Sequence, residues 1–286
     1  MRRFPPGGAN DKIPFGTHAT GAGWGSSWLV YILPFVEQGN VFDQMQFAGG
    51  ATGGSGYNHP VNTLAIKGLV IKGYNCPSSP LKITATSPVP TTSGPMQAPS
   101  YVAISGAIDG LIPNYSETRT RTGTYGIASG GGVLVPNGQT RMADITDGTS
   151  NTAMISEYSN FLQQGTTLAK VDWRMQGVYG FLIGLNTAIE VGPSFPADAA
   201  MRTGGMVTVR YPVNQIKGSA GTGWSGTVAT DGVGAQGVNL PLNSAHPSGV
   251  IVGLADGSVR FLSQSTPLPQ LAGFVTRDDG QTLALD

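Results

Sequence analysis

Two apolar runs meet at Asp256-Gly257 near the end of this 286-residue chain. Gly249-Val250-Ile251-Val252-Gly253-Leu254-Ala255 precedes the pair, and Ser258-Val259-Arg260-Phe261-Leu262-Ser263 follows it. Asp-Gly between apolar runs is a strong local signal for a β-hairpin, because a type I′ turn needs positive φ at both central residues. A two-residue turn there sets Leu254 opposite Val259, Val252 opposite Phe261 and Val250 opposite Ser263. One face of the ribbon is then almost wholly apolar and has to pack on a core. Ile251 and Leu262 on the other face point to an interior place in the sheet.

Glycine supplies the turns such a sheet needs. There are 43 Gly and 20 Pro, without the Gly-X-Y period of collagen. That density fits many tight turns between short strands, with long loops as the competing reading. Apolar residues make up 40%, enough for a core. Charged residues are only 11%, well below the ~25% of ordinary soluble domains. Lys+Arg and Asp+Glu are both 16, so bulk electrostatics draw in neither nucleic acid nor an anionic membrane. A surface this poor in charge favours self-association.

Local patterns give the remaining elements. Ser26 or Ser27 is placed to cap a helix through Trp28, Leu29, Ile32, Leu33 and Val36, interrupted at Pro34. A second helical piece is expected over Val41 to Phe47 and a third over Val61 to Lys67, after a loop at 48–59. Strands are expected at Leu69–Asn75, Tyr101–Ser105, Gly132–Val135, Thr152–Glu157, Val178–Leu185 and Met206–Tyr211. Residues 1–25 read as an extended lead-in and 78–99 as a Pro-rich loop. Thr266 and Pro267 suit the start of a closing helix, with Leu268, Leu271, Ala272 and Val275 on one face and Asp279-Gly280 as its stop.

Motifs for chemistry are sparse. Cys76 is the one cysteine, so it has no internal disulfide partner and no cysteine companions for a metal. His18, His59 and His246 are scattered without metal-ligand spacing. His246 and Asp256 lie ten residues apart. Along a strand that is ~30 Å, too far for a catalytic pair. G-x-G-x-x-G occurs at Gly221–Gly226 and Gly232–Gly237 without the strand and helix of a dinucleotide site. There is no Walker A loop, no G-x-S-x-G and no H-E-x-x-H. The oxygen-rich stretch from Asp144 to Thr152 makes Asp144, Asp147, Asn151 and Glu157 calcium candidates. A tight turn with Asp147 and Asn151 on local backbone amides is the favoured alternative. Trp24, Trp28, Trp173 and Trp224 suit core packing or subunit contacts more than a sugar site. No catalytic residue and no cofactor-binding residue is expected.

Several segments, in order, resemble one bacterial family. NSAHPSGVIVGLADGSVRFLS, with His246, Asp256 and Gly257, resembles the H-x9-D-G signature of a prepilin-like family labelled domain of unknown function 1559, with an older solute-binding-protein tag. FPPGG at 4–8, WLVYILPFVEQGNVFDQ at 28–44, YNCPSSP at 74–80 and DITDGTSNTAMISE at 144–157 resemble further family elements, with Ser79 where an Asp is usual. PLPQLAGFVTRDDG resembles the family's closing helix.

The resemblance implies an α+β, mainly β fold: a pilin- or pseudopilin-like antiparallel sheet head with long Gly/Pro-rich loops and a few short helices, as one domain over 1–286. It implies a structural, non-catalytic subunit of an exported or cell-surface assembly, extracytoplasmic in the periplasm or at the surface. Its expected partners are copies of itself or other pilin-like subunits. Attachment to a membrane is expected only through a long N-terminal pilin helix, which these residues do not include. Relatives often carry a cysteine near the end of that helix, which the resemblance offers as a partner for Cys76. Within this reading His246, Asp256, Gly257 and Cys76 are structural residues. The alternative function is an extracytoplasmic solute- or carbohydrate-binding module.

Overall fold

Five strands form the central sheet: β1 (Tyr101–Ala107), β2 (Ala153–Glu157), β3 (Met206–Val209), β4 (Gly249–Leu254) and β5 (Val259–Ser263). Their spatial order is β3-β1-β2-β4-β5. The computed structural model describes residues 3–9, 24–47, 59–86, 94–186, 201–218 and 221–281. All neighbouring pairs in the sheet are antiparallel except the edge pair β3–β1, which is parallel. The fold is α+β and mainly β, as the sequence implied, with helices of four to eight residues.

Apolar packing covers both faces of the sheet except along β5 on one of them. Val102, Ile104, Val207, Val250, Val252 and Leu254 share one core with Leu271, Ala272, Phe274 and Val275 of the closing helix, Leu268–Val275. On the other face Ala103 and Met206 meet Trp28, Leu29, Val133, Leu134, Phe181 and Leu182. The alternation is that of a sheet covered on both sides. All four tryptophans are buried. No helix among the described residues is long and apolar enough to cross a membrane.

The β4–β5 hairpin forms, but with a different turn. The Gly257 N–H donates to Leu254 O at 3.0 Å, and the Leu254 N–H to Ser258 O at 2.9 Å, closing a three-residue loop. Gly257 adopts φ of 88° while Asp256 stays at negative φ. Asp256 Oδ1 accepts from the Ser258 N–H and hydroxyl, a local bond that holds Asp256 in its turn. A type I turn followed by left-handed glycine is the three-residue solution. The register therefore slips by one: Val250 faces Leu262, Ile251 faces Phe261 and Val252 faces Arg260. Val259 and Phe261 turn away from the core that holds Leu262, and are 65% and 54% exposed. β4 is interior, whereas β5 is an edge strand.

Other expectations fail for identifiable reasons. Leu69–Asn75 is not a strand; Lys72–Tyr74 is a 3-10 turn. The amide of Gln97 takes the Ile71 N–H at 2.8 Å and donates to Ile71 O at 2.7 Å, so a side chain replaces the ladder. Gly132–Val135 is irregular because it presses against β1, where a Cβ on Gly132 would stand 2.5 Å from Gly106 N. Val178–Leu185 splits into a helix at Gln176–Tyr179, stopped by Gly180 at φ 72°, and a short strand at Leu185–Asn186. The helix at Trp28–Tyr31 gives way to a 3-10 turn at Leu33–Phe35 around Pro34. Ser27 occupies the cap position without capping, since its hydroxyl donates to Phe181 O. The next helices are Gly39–Phe42 and Pro60–Ile66. The closing helix has Pro267, not Thr266, at its cap, and it ends at Val275, before Asp279-Gly280.

Three small hairpins were not foreseen: Thr84–Thr86 with Pro95–Gln97, inside the expected Pro-rich loop, Thr120–Gly123 with Gly126–Ser129, and Leu162–Gln164 with Ala169–Val171. In the lead-in, Gly8–Ala9 pairs with Ser26–Ser27. Residues 10–23, most of the 48–59 loop and 87–93, with His18 among them, lie outside the described residues.

Asn239 ties the second of these hairpins to the sheet. Its buried amide accepts the Ile127 N–H at 2.7 Å and donates to Ile127 O at 2.8 Å and Thr208 O at 3.1 Å. Asn239→Ala strands the buried Thr208 O and the part-buried N–H and C=O of Ile127. The expected loss is ~3 kcal/mol of unfolding free energy, read as a lowered urea midpoint at unchanged slope.

Candidate functional site

Three chemically capable side chains meet at one end of the sheet. Cys76 Sγ lies 3.5 Å from His246 Nε2, and Glu157 Oε1 lies 3.1 Å from the same nitrogen. One ligand-type atom from each falls within 4.8 Å of the other two, the one such group of three among the described residues. Cys76 and Glu157 are buried, while His246 is partly open to solvent.

Each residue is held by its own element. Glu157 ends β2 opposite Tyr101, the first residue of β1. Its Oε2 accepts the Ile251 N–H from β4 at 2.7 Å, which fixes the carboxylate and leaves Oε1 facing His246. Cys76 follows the turn at Lys72–Tyr74, which is anchored by the Ser100 N–H on Tyr74 O at 2.8 Å. Ser79, where the resembled family usually has Asp, donates its hydroxyl to Ser159 O at 2.9 Å, a bond an ionised carboxylate could not make. The His246 loop is tied back by Asn160 Nδ2 on Ser244 O at 3.0 Å and by the His246 N–H on Ser244 Oγ at 3.0 Å.

The electrostatics follow from burial. Glu157 is 1% exposed, and among the described residues its ionic contact is His246. Burial pushes the Cys76 thiol up, and the neighbouring Glu157 carboxylate raises it further. The phenol of Tyr101 is raised by its own burial and by Cys76 and Glu157. Burial and the adjacent carboxylate both disfavour the Cys76 thiolate. Cys76 and Glu157 also converge on one imidazole nitrogen, whereas a nucleophile–histidine–carboxylate relay uses both.

Beside this cluster the same sheet face lines an apolar groove of about 570 Å³, with Trp28, Tyr74, Tyr101, Ile155, Ile251 and Val259 on its walls. A second apolar groove of about 640 Å³ lies at the N-terminal helices, bounded by Phe4, Tyr31, Phe35, Phe42 and Phe47. Phe35 there is 85% exposed.

The residues singled out from sequence are placed as follows. His246 and Asp256 sit at opposite ends of β4, and Asp256 is exposed in the turn. Gly257 supplies the left-handed residue of that turn. The calcium candidates are not gathered into one set: Asp144 is paired with Arg141, whose guanidinium holds it below the usual carboxylate range. Asn151 donates to Asp147 O at 3.1 Å, and Glu157 belongs to the cysteine–histidine cluster. Asp147 instead accepts the Asp279 and Gly280 N–H groups at 2.6 and 3.0 Å. Sequence reading missed the joining of Cys76 to His246 because they are 170 positions apart. The available signal was that Cys76 and Glu157 each fell in a segment of the same family resemblance as His246.

Asp279 carries a pH prediction. Burial, a side-chain hydrogen bond with Asp147 and the Asp147 charge push its carboxyl up to about 7. Its folded value lies above its unfolded one, so the unfolded chain gives up the proton first. The stability it contributes is full below the unfolded pKa and falls as pH rises toward about 7. Asp279→Asn is expected to flatten that decline between pH 4 and 7, measured as melting temperature against pH beside the parent protein.

Comparison with known proteins identifies a family. Residues 1–268 fit the model of a family described as SBP_bac_10, Protein of unknown function (DUF1559). No curated protein and no solved structure matches the chain.

Proposed function

The chain belongs to the DUF1559 family, and from that premise we propose that it is a non-catalytic structural subunit, pseudopilin-like, of an exported or cell-surface assembly. The observation that carries this reading is the apolar edge: Val259 and Phe261 stand exposed on β5, whose outer side has no strand partner among the described residues. An exposed apolar edge strand is a template for joining another chain. Phe35 and its groove offer a second apolar surface. The low charge and zero net charge remove the repulsion that keeps monomers apart. The natural partners are copies of this chain or subunits like it, outside the cytoplasm.

A binding module for an extracytoplasmic solute is the second reading, supported by the groove around Phe35, whose volume suits a small ligand. Its lining favours an apolar ligand over a free sugar.

Analytical ultracentrifugation with electron microscopy separates the two. Assembly predicts concentration-dependent oligomers. Phe261→Glu should weaken them by roughly tenfold or more, since burying one such side chain contributes ~1.5–3 kcal/mol. A protein that stays monomeric into the millimolar range rejects the assembly reading. Ligand-induced stabilisation lost in Phe35→Ala would then favour the binding module.

A further inference from the structure

The geometry points to a metal site: Cys76, Glu157 and His246 form a three-ligand cradle for a zinc-type divalent cation, with a fourth position open to solvent. This is independent of the assembly reading and uses different residues.

The first support is distance. A tetrahedral zinc bound to sulfur and nitrogen at their usual bond lengths separates those two atoms by about 3.6 Å, and nitrogen from oxygen by about 3.3 Å. The observed Sγ to Nε2 and Nε2 to Oε1 separations are 3.5 and 3.1 Å. All three atoms lie within 4.8 Å of one another. Two edges of a coordination polyhedron are thus already at length, and the third needs at most a small adjustment from within 4.8 Å.

The second support is direction. Both contacts fall on His246 Nε2, so sulfur and carboxylate approach the nitrogen that would carry the lone pair to a metal. A hydrogen-bonded relay would divide them between the two ring nitrogens. The Ile251 N–H occupies Glu157 Oε2 and leaves Oε1 as a single donor, as outer partners orient a ligating carboxylate.

The third support is charge. Glu157 is fully buried beside an interior thiol. Charge at such a place is costly, and the counter-charge at hand is His246, which carries one only when protonated. A divalent cation displaces the thiol proton to solvent, and its two positive charges balance one thiolate and one carboxylate. Sulfur and imidazole nitrogen select zinc and its neighbours over calcium and magnesium, which take oxygen donors. The partly exposed side of His246 provides the way in and room for a water as fourth ligand.

The test uses the full chain, untagged, reduced and stripped with chelator. Titration with Co²⁺ should saturate at one ion per chain with a thiolate-to-cobalt charge-transfer band in the near ultraviolet, and Zn²⁺ should displace it. Zn²⁺ should also raise the melting temperature, reversibly with chelator. Cys76→Ser should abolish the band, and His246→Gln should weaken zinc by more than the ~100-fold upper limit that loss of a merely orienting partner costs. His59→Gln should leave both unchanged. Absence of the charge-transfer band in the parent protein overturns the proposal without recourse to any variant. So does zinc affinity in a folded Cys76→Ser protein equal to that of the parent.

Discussion

Every buried backbone amide must find a hydrogen-bond partner, and this chain has too little regular structure to supply them all from ladders. Its strands run two to seven residues, and long irregular segments press on the sheet from both sides. Buried side chains make up the difference. Gln97 pairs with both polar groups of Ile71, and Asn239 with those of Ile127. Asn243 donates to Asn160 O, Arg174 to Pro99 O, and Arg277 to Gly130 O and Gly132 O. These contacts are long-range in sequence, so each fixes a loop against a distant element. They let a glycine-rich chain with few charges keep its irregular segments in one arrangement. Glu157 obeys the same rule when it takes the Ile251 N–H, and that bond holds the cysteine–histidine cluster in register with the sheet.

The sequence exposed the parts of the fold that depend on neighbours. The β4–β5 hairpin, the closing helix and the core strands at 101, 153 and 206 follow from local alternation and turn residues. What it hid depends on partners far along the chain. Apolar residues 69–75 read as a strand because nothing nearby announces that Gln97 will take the place of a neighbouring strand. Residues 178–185 read as a strand because the left-handed Gly180 acts only through the backbone it breaks. The family identity was legible in the motifs themselves, and the match over residues 1–268 agrees with it.

The candidate site was illegible for a geometric reason. Glu157 follows Asp144, Asp147 and Asn151 closely in sequence, so it joins them in any reading by proximity. Between them runs β2, an extended strand over Ala153–Glu157. At ~3.3 Å per residue it carries the carboxylate ~15 Å from the turn that begins it. The same extension delivers Glu157 to the edge where the loops bearing Cys76 and His246 come together. Sequence distance and spatial distance are inverted here by one strand.

A one-residue difference at the hairpin turn decides what the molecule presents outward. A two-residue turn would place Phe261 against Val252 in the core and send Leu262 to the opposite face. The Asp256 carboxylate bonds instead to Ser258, the loop takes three residues, and Leu262 goes inward beside Val250. Phe261 and Val259 are thereby placed on the face that holds Ile251 and the apolar groove, at the open edge of the sheet. Asp256 is exposed in the turn, its side chain is bonded to Ser258, and the register that this turn closes leaves Val259 and Phe261 at the surface. The aspartate and the histidine of the motif are thus held apart by the length of β4, the aspartate bonded within its own turn.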